Sequence, residues 1–539
     1  MLTRLTGAQL CDPQFGTPTE VRDLYLENGT VVATPDKGRR VDHEYKLDGR
    51  VLMAGGIDMH THIGGGKVNL ARLLLPERVR IETTDGSMVR PLSSPVPGTW
   101  ETGRRYLEMG YTTCFEPAIL PANARHAHLE MADIPWLDTG GYLMLGNEDL
   151  LLDWISKGVP QRQINDYVGW MLTAHRCLAV KVVNAGGINA FKFNQRTLDV
   201  DDVHPEYRIT PRQILSTLAE AIDTLGIAHP LHVHCSNLGV PGNIASTLAT
   251  IDAVEGRRLH ITHAQFHCYG KNGPHGFGSA ANQLVDRVNS SEQLSIDVGQ
   301  VLFGQTVTIS GDTMHQFANR NLARPRKTIF QDLECQAGCG VLPFRYRQSQ
   351  YVHGLQWAIG LELFLLVKNP YQVFLTTDHP NGAPFTGYPH LIRLLMDYDF
   401  RMSIFEQLHP DIKATSPLPS LRREYTLEEI AILTRNGPAQ ILGLSNQGHL
   451  QPGASGDVVV YKQDRNQESM FARPEMVFRR GKLIYRNGEF LEGCNKVSFE
   501  ATPNFDDSIE RELEKIWANF YCQSMSATKI GADYATQRH

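Results

Sequence analysis

Two histidines one residue apart, His60 and His62, end an apolar run in "GGIDMHTHIGGG" and are followed, one residue on, by glycines. Residues i and i+2 of an extended segment point the same way, so both imidazoles can reach a single cation. Three later apolar runs end in the same chemistry: "LHVHC" holds His232 and His234, "LHITHA" holds His260 and His263, and "VFLTTDHP" carries Asp378. In each histidine pair the second lies nearer the strand's carboxyl end. His234 and His263 are therefore the expected ligands, with His232 and His260 buried beneath them or supporting them. The donors His60, His62, His234, His263 and Asp378 exceed what one tetrahedral zinc ion takes, and they suit two ions sharing a bridge. The bridge wants an anion, and the intervening segment supplies lysine: Lys181 in "AVKVVN", with Lys192 in "NAFKFN" as its rival. A buried lysine loses its proton readily, and the free amine can add carbon dioxide to form a bridging carbamate. Lys181 is preferred because its run directly follows a helical stretch, as a barrel strand should.

Such donors act together only if separate strands present them at one face. Between Val51 and Leu444 short apolar runs alternate with helical patterns, at 51–57, 111–117, 142–146, 179–184, 231–235, 259–264, 294–299 and 373–378. This alternation predicts an α/β fold, a (β/α)8 TIM-like barrel whose catalytic groups gather at the carboxyl ends of its strands. "TPRQILSTLAEAIDTLG" and "YVHGLQWAIGLELFLLVKN" have helical periodicity, the first stopping at Gly226 as a C-cap would. The two ends of the chain read as β structure, with hairpin signals at Asn28-Gly29, Asp48-Gly49 and Asn487-Gly488. Residues 1–52 and 446–499 are expected to pair into one small β-sandwich beside a barrel of residues 53–445. Residues 500–539 should form a helical tail with a mobile end.

Composition narrows the partners. A net charge of -6 gives no electrostatic reason to expect nucleic acid or an anionic membrane. No apolar run approaches the roughly 20 residues of a membrane span, and "MLTRLTGAQLCDPQFG" lacks a signal peptide's apolar core, so a cytoplasmic protein is expected. The nine cysteines are scattered and odd in number, which fits reduced thiols. Cys335 and Cys339 in "CQAGCG" are the one close pair, and no second pair stands at zinc-finger spacing.

The metal pattern resembles the amidohydrolase superfamily, in which an HxH, a lysine, two later histidines and an aspartate hold two metals. Within it the chain is similar to the A-subunit family of formylmethanofuran dehydrogenases and bacterial formyltransferase/hydrolase complexes. The carrying stretches include "KVVNAGGINAFKF", "LHVHCSNLGVPGN", "LHITHAQFHCYG" and "TTDHPNGAPFTGYPHLIRLLM". The resemblance implies hydrolysis, or formation, of the formamide of a methanofuran-type (methylofuran-like) carrier with a glutamate-rich tail. It also implies two zinc ions, a carboxylated lysine and partner subunits carrying formyltransferase activity. Asp378 would then serve as catalytic acid and base. No iron–sulfur or molybdopterin signature is present, so reduction of carbon dioxide is not expected of this chain. The loops after strands 5 and 8 offer Asn237, Asn243, His379 and Asn381 to a substrate. After strand 1, "GGGKVNLARLLLPERVR" offers Lys67 and Arg72, beside Asn69, Arg78 and Arg80, to an anionic tail. A hydantoinase- or dihydroorotase-like cyclic amide hydrolase is the alternative.

Overall fold

Eight short strands run parallel and pair in chain order: Gly56–Asp58, Tyr111–Ile119, Asp138–Met144, Ala179–Val183, Leu231–His234, Leu259–Ile261, Leu294–Asp297 and Val373–Phe374. The computed structural model describes residues 1–15, 20–78, 94–310, 312, 317–324, 331–332, 339–491, 493 and 495–531. The first and eighth strands meet beyond their ends, where Thr61 bridges His379 and the His62 N–H donates to the His379 carbonyl over 2.9 Å. That contact closes the sheet into the expected barrel. Helices cover its outside, so these strands are buried on both faces and read as unbroken apolar runs; every residue of Ala179–Val183 is buried. The helix Pro211–Thr224 starts on a capping box between Thr210 and Gln213, and Gly226 follows its end at φ 66°. Tyr351–Leu366 forms the second expected helix.

The run expected as one strand over 51–57 is two. Arg50–Ala54 lies between Leu2–Leu10 and Val458–Lys462 in a second sheet of nine strands, built from both ends of the chain. Gly55 is where the chain crosses to the barrel, and a Cβ there would stand 2.0 Å from Thr112 Oγ1, so only glycine passes. The sandwich segment therefore runs past the expected boundary at residue 52. At the other end, Ser498–Phe499 adds to the third barrel strand and not to the terminal sheet.

Asn28-Gly29 and Asn487-Gly488 close antiparallel hairpins with positive φ at both residues of each turn. Asp48-Gly49 does not: His43–Lys46 and Arg50–Ala54 both run parallel to Leu2–Leu10, so this turn joins strands that are not paired with each other. Another departure is an antiparallel pair, Gly304–Ser310 with Cys339–Tyr346, inserted between the seventh and eighth barrel strands. Cys335 lies outside the described residues. Among the described residues no helix is long and apolar enough to cross a membrane.

The tail is helical over Ile509–Phe520, where Leu513 and Trp517 are buried. Trp517 meets Trp170 edge to face, with centroids 5.4 Å apart, and stacks on Tyr521. Its expected mobile end, 532–539, lies outside the described residues. Trp517→Ala should cost about 3–5 kcal/mol, as for other large aromatic truncations in a core. Thermal and urea denaturation of the variant would read this directly.

Candidate metal centre

At the carboxyl ends of the barrel strands lies a solvent-open cleft. His60, His62, Lys181, His234, His263 and Asp378 all line it. His60 Nε2 lies 2.9 Å from Asp378 Oδ1, and His62 Nε2 lies 3.4 Å from the same oxygen. Period-two alternation places Lys181 inside the barrel, in register with Met144 on the third strand and His232 on the fifth. His234, one pleat nearer the mouth than His232, reaches the cleft, while His232 and His260 are fully buried below it.

His263 gets there by another route. It sits past the sixth strand in a left-handed conformation, φ 35° and ψ 51°, which costs energy for a residue with a side chain. Its N–H donates to Asp297 Oδ1 over 2.9 Å and its carbonyl accepts from Phe266 N–H over 3.0 Å. Gly299 makes room, since a Cβ there would stand 2.4 Å from that of His263.

Two carboxylates outside the sequence-predicted donor set hold these rings. Glu116, in the buried second strand, accepts from His62 Nδ1 at 2.9 Å and from the N–H groups of Ile63 at 2.7 Å and Gly64 at 3.1 Å. Asp297, at the end of the seventh strand, receives His260 Nε2 at 3.1 Å and the Thr376 hydroxyl at 2.7 Å, and lies 3.4 Å from His60 Nδ1. A carboxylate on the far nitrogen of a histidine sets its tautomer and turns the other lone pair toward a metal. Both acids lie within strands expected from the sequence, at 111–117 and 294–299, and that position was the available signal.

The donor set fits divalent cations. His60, His62 and Asp378 offer ligand atoms within 4.8 Å of one another, and so do His234, His263 and His267. Imidazole nitrogen with carboxylate oxygen is the chemistry zinc takes. Burial works against a charged His62, yet Glu116 and Asp378 outweigh it and lift its pKa to about 9, so a positive charge is favoured between them. Burial moves Lys181 the other way, down to about 8, against the pull of Asp297 and Asp378. Asp378 and Asp297 are both held well below the usual carboxylate range. For each, burial acts upward and is outweighed, at Asp378 by His263, His60 and His62, and at Asp297 by His60 and His260.

Other expected residues fall elsewhere. Lys192 is half exposed and paired with Asp149 at 2.8 Å, away from the cleft. Asn237 and Asn243 do not line the cleft, because their amides organise the loop after the fifth strand. Asn237 Nδ2 donates to Asp199 and Ser246, while Asn243 donates to the carbonyls of Asn237 and Phe266 and accepts from Tyr269 N–H. His379 is buried behind the mouth, its Nδ1 accepting from Phe385 N–H at 3.1 Å. Arg72, at the end of helix Gly66–Arg72, clamps neighbouring segments together, bound to Asn69, Glu130 and the carbonyls of Ile63 and Pro97. Asn69 also meets His126, and Arg78 donates to Gln305. Arg80 lies outside the described residues. Lys67 and Asn381 do line the cleft, Asn381 with its Oδ1 held by Ile309 N–H at 2.7 Å. The inserted strand pair contributes Thr308, Ile309, Ser310, Gly340 and Leu342 to the same wall.

A closed parallel barrel with imidazole and carboxylate donors at its mouth defines a class, and the chain belongs to the amidohydrolase family, which residues 44–485 match. It is 43% identical over 520 residues to the A-subunit of the formyltransferase/hydrolase complex Fhc of Methylorubrum extorquens, covering 95% of this chain and 94% of that protein. The protein FwdA of Methanocaldococcus jannaschii is 37% identical over 472 residues, 85% of this chain and 82% of that one. The crystal structure of the Methylorubrum extorquens FhcABCD complex with methylofuran contains a chain that superposes with a TM-score of 0.91 at 42% identity, covering 99% of this chain and 97% of its own length.

Asp297→Asn keeps the shape of the side chain and removes its charge. It should cost about 1–3 kcal/mol through the mismatched donors left around it. Because the native carboxyl titrates below its ordinary value, its contribution is present above about pH 4 and is lost as pH falls through the depressed folded value. Urea denaturation from pH 7 to pH 3 should therefore show wild type and variant converging in acid.

Proposed function

We propose that this chain is the hydrolytic subunit of a formyltransferase/hydrolase complex. It cleaves the formamide of a formylated methanofuran-type carrier to formate and the free amine, and runs the reverse reaction when formate is supplied. The observation that carries this reading is the near full-length likeness to one subunit of such a complex, combined with a cleft that gathers His60, His62, Lys181, His234, His263 and Asp378. Those residues would hold two zinc ions, with Lys181 carboxylated between them. When bound, the ions would polarise the formyl oxygen and make water acidic enough to attack near neutral pH.

The chain's own groups do the rest. Asp378 is buried and kept ionised by the histidines around it, so it can take the proton of the attacking water. It then passes that proton to the amine nitrogen, which must be protonated to leave as the C–N bond breaks. Asn381, its oxygen tied to Ile309, lines the cleft and can donate from Nδ2 to the substrate. Leu120, Met144 and Val183 form an apolar cluster beside these groups, suited to a flat furan-type ring. Lys67, at the rim, would meet an anionic tail.

Formate release from a formylated carrier by the purified chain, with whatever subunits accompany it, should be abolished by a chelator and restored by zinc. Absence of formate from protein holding two zinc ions per chain would refute the assignment and favour cyclic-amide hydrolysis. Asp378→Asn should keep most of the metal and lose about 10²–10⁴-fold in kcat, the usual worth of general acid–base catalysis; near-normal turnover would remove Asp378 from that role.

The carbamate has its own test. With its pKa near 8, Lys181 is about one-tenth neutral at pH 7. Bicarbonate-dependent zinc uptake by the stripped protein should therefore rise steeply up to pH 8 and level off above it. An ordinary lysine would keep the rate climbing to about pH 10.

A further inference from the structure

One histidine near the cleft has no part in the chemistry above. His267 follows His263 by four residues, and the intervening Ala264–His267 is a single tight helical turn. The turn brings both rings to one side, with centroids 5.1 Å apart and planes 29° from parallel. The ring of His267 is also 4.9 Å from that of His234, and His234 is 4.7 Å from His263. The donor atoms of all three lie within 4.8 Å of one another.

His267 is fully buried, and among the described residues neither of its ring nitrogens has a hydrogen-bond partner. Nδ1 of His263 is buried without one as well. An unmatched buried polar atom is destabilising, so three of them on the adjoining rings of His263 and His267 mark a place where something is bound. The carboxylate of Asp312, 3.6 Å from His234 Nε2, favours a proton on that nitrogen and leaves the Nδ1 lone pair to the cluster.

We propose that His267 is a third imidazole ligand for the metal held by His234 and His263. The three rings form a site for a divalent cation such as zinc or cobalt, with one position left open. This half of the centre then keeps its ion whether or not Lys181 carries a carbamate. His267 does not line the cleft, so it holds the ion from behind and does not touch substrate. The proposal rests on the metal-dependent reading above and adds a ligand that the pattern of strand-end residues does not contain.

The test counts ions. In the purified chain with its accompanying subunits, His62→Gln combined with Lys181→Met disables the other half and the carbamate. Metal analysis should then find one ion per chain, and cobalt substitution should give the visible absorption of a four-coordinate site. Adding His267→Phe or His267→Gln should weaken binding of that ion at least tenfold in chelator competition and change the cobalt spectrum. Phenylalanine separates a ligand from a buried ring, because an apolar ring of similar size relieves the unmatched nitrogens and should stabilise the fold if His267 binds nothing. Unchanged affinity and spectrum in both variants overturn the proposal and leave metal-dependent hydrolysis standing. Wild-type protein without ions overturns both.

Discussion

One buried carboxylate ties the mouth of the barrel together. Asp297 is fully buried at the end of the seventh strand and touches the sixth strand through His260 and His263, the eighth through Thr376 and the first through His60. A bare charge in that position would be ruinous to the fold, and here every neighbour either donates to it or can carry positive charge. It also holds the left-handed backbone of His263, so the ring that most depends on strain is anchored by the same group that lies against His60 and His260.

Below this lies a column of imidazoles where many barrels have stacked aliphatic side chains. His229 Nε2 is 2.9 Å from His232 Nδ1, and His232 Nε2 is 3.1 Å from His60 Nδ1. Each ring in such a chain must donate at one nitrogen and accept at the other, so the tautomers are coupled from the barrel interior to the cleft. Thr262, 2.7 Å from His60 Nδ1, adds a hydroxyl that can serve either polarity. Within this column both nitrogens of His232 and of His60 have a polar neighbour, which offsets the cost of burying them.

The terminal sheet supports the barrel through buried arginines. Arg479, fully buried, pairs with Asp138 at 2.9 Å and donates to the Thr112 carbonyl. Arg435 donates to the carbonyl of Ala54 and to the Tyr461 hydroxyl, holding the point at which the chain passes from sheet to barrel. Three pieces far apart in sequence thus meet beside Gly55, directly upstream of the two histidines that open the site.

Local pattern along the chain was enough to locate the strands, and with them the donors that leave their ends. Alternation along a strand is a local rule, so His60, His62, Lys181 and His234 could be assigned to one side without knowing what lay opposite. The same pattern could not say which polar side chains face a ligand and which face the protein. Asn237, Asn243 and Arg72 have the chemistry of substrate-binding groups, and only the folded loops show their hydrogen bonds already taken. Glu116 and Asp297 gain their roles from histidines on other strands, and His267 from a tight turn that no strand pattern describes. The physical reason is the range of the forces: backbone geometry sets a side chain's direction within a few residues, whereas its partner is chosen by segments that meet only when the barrel closes.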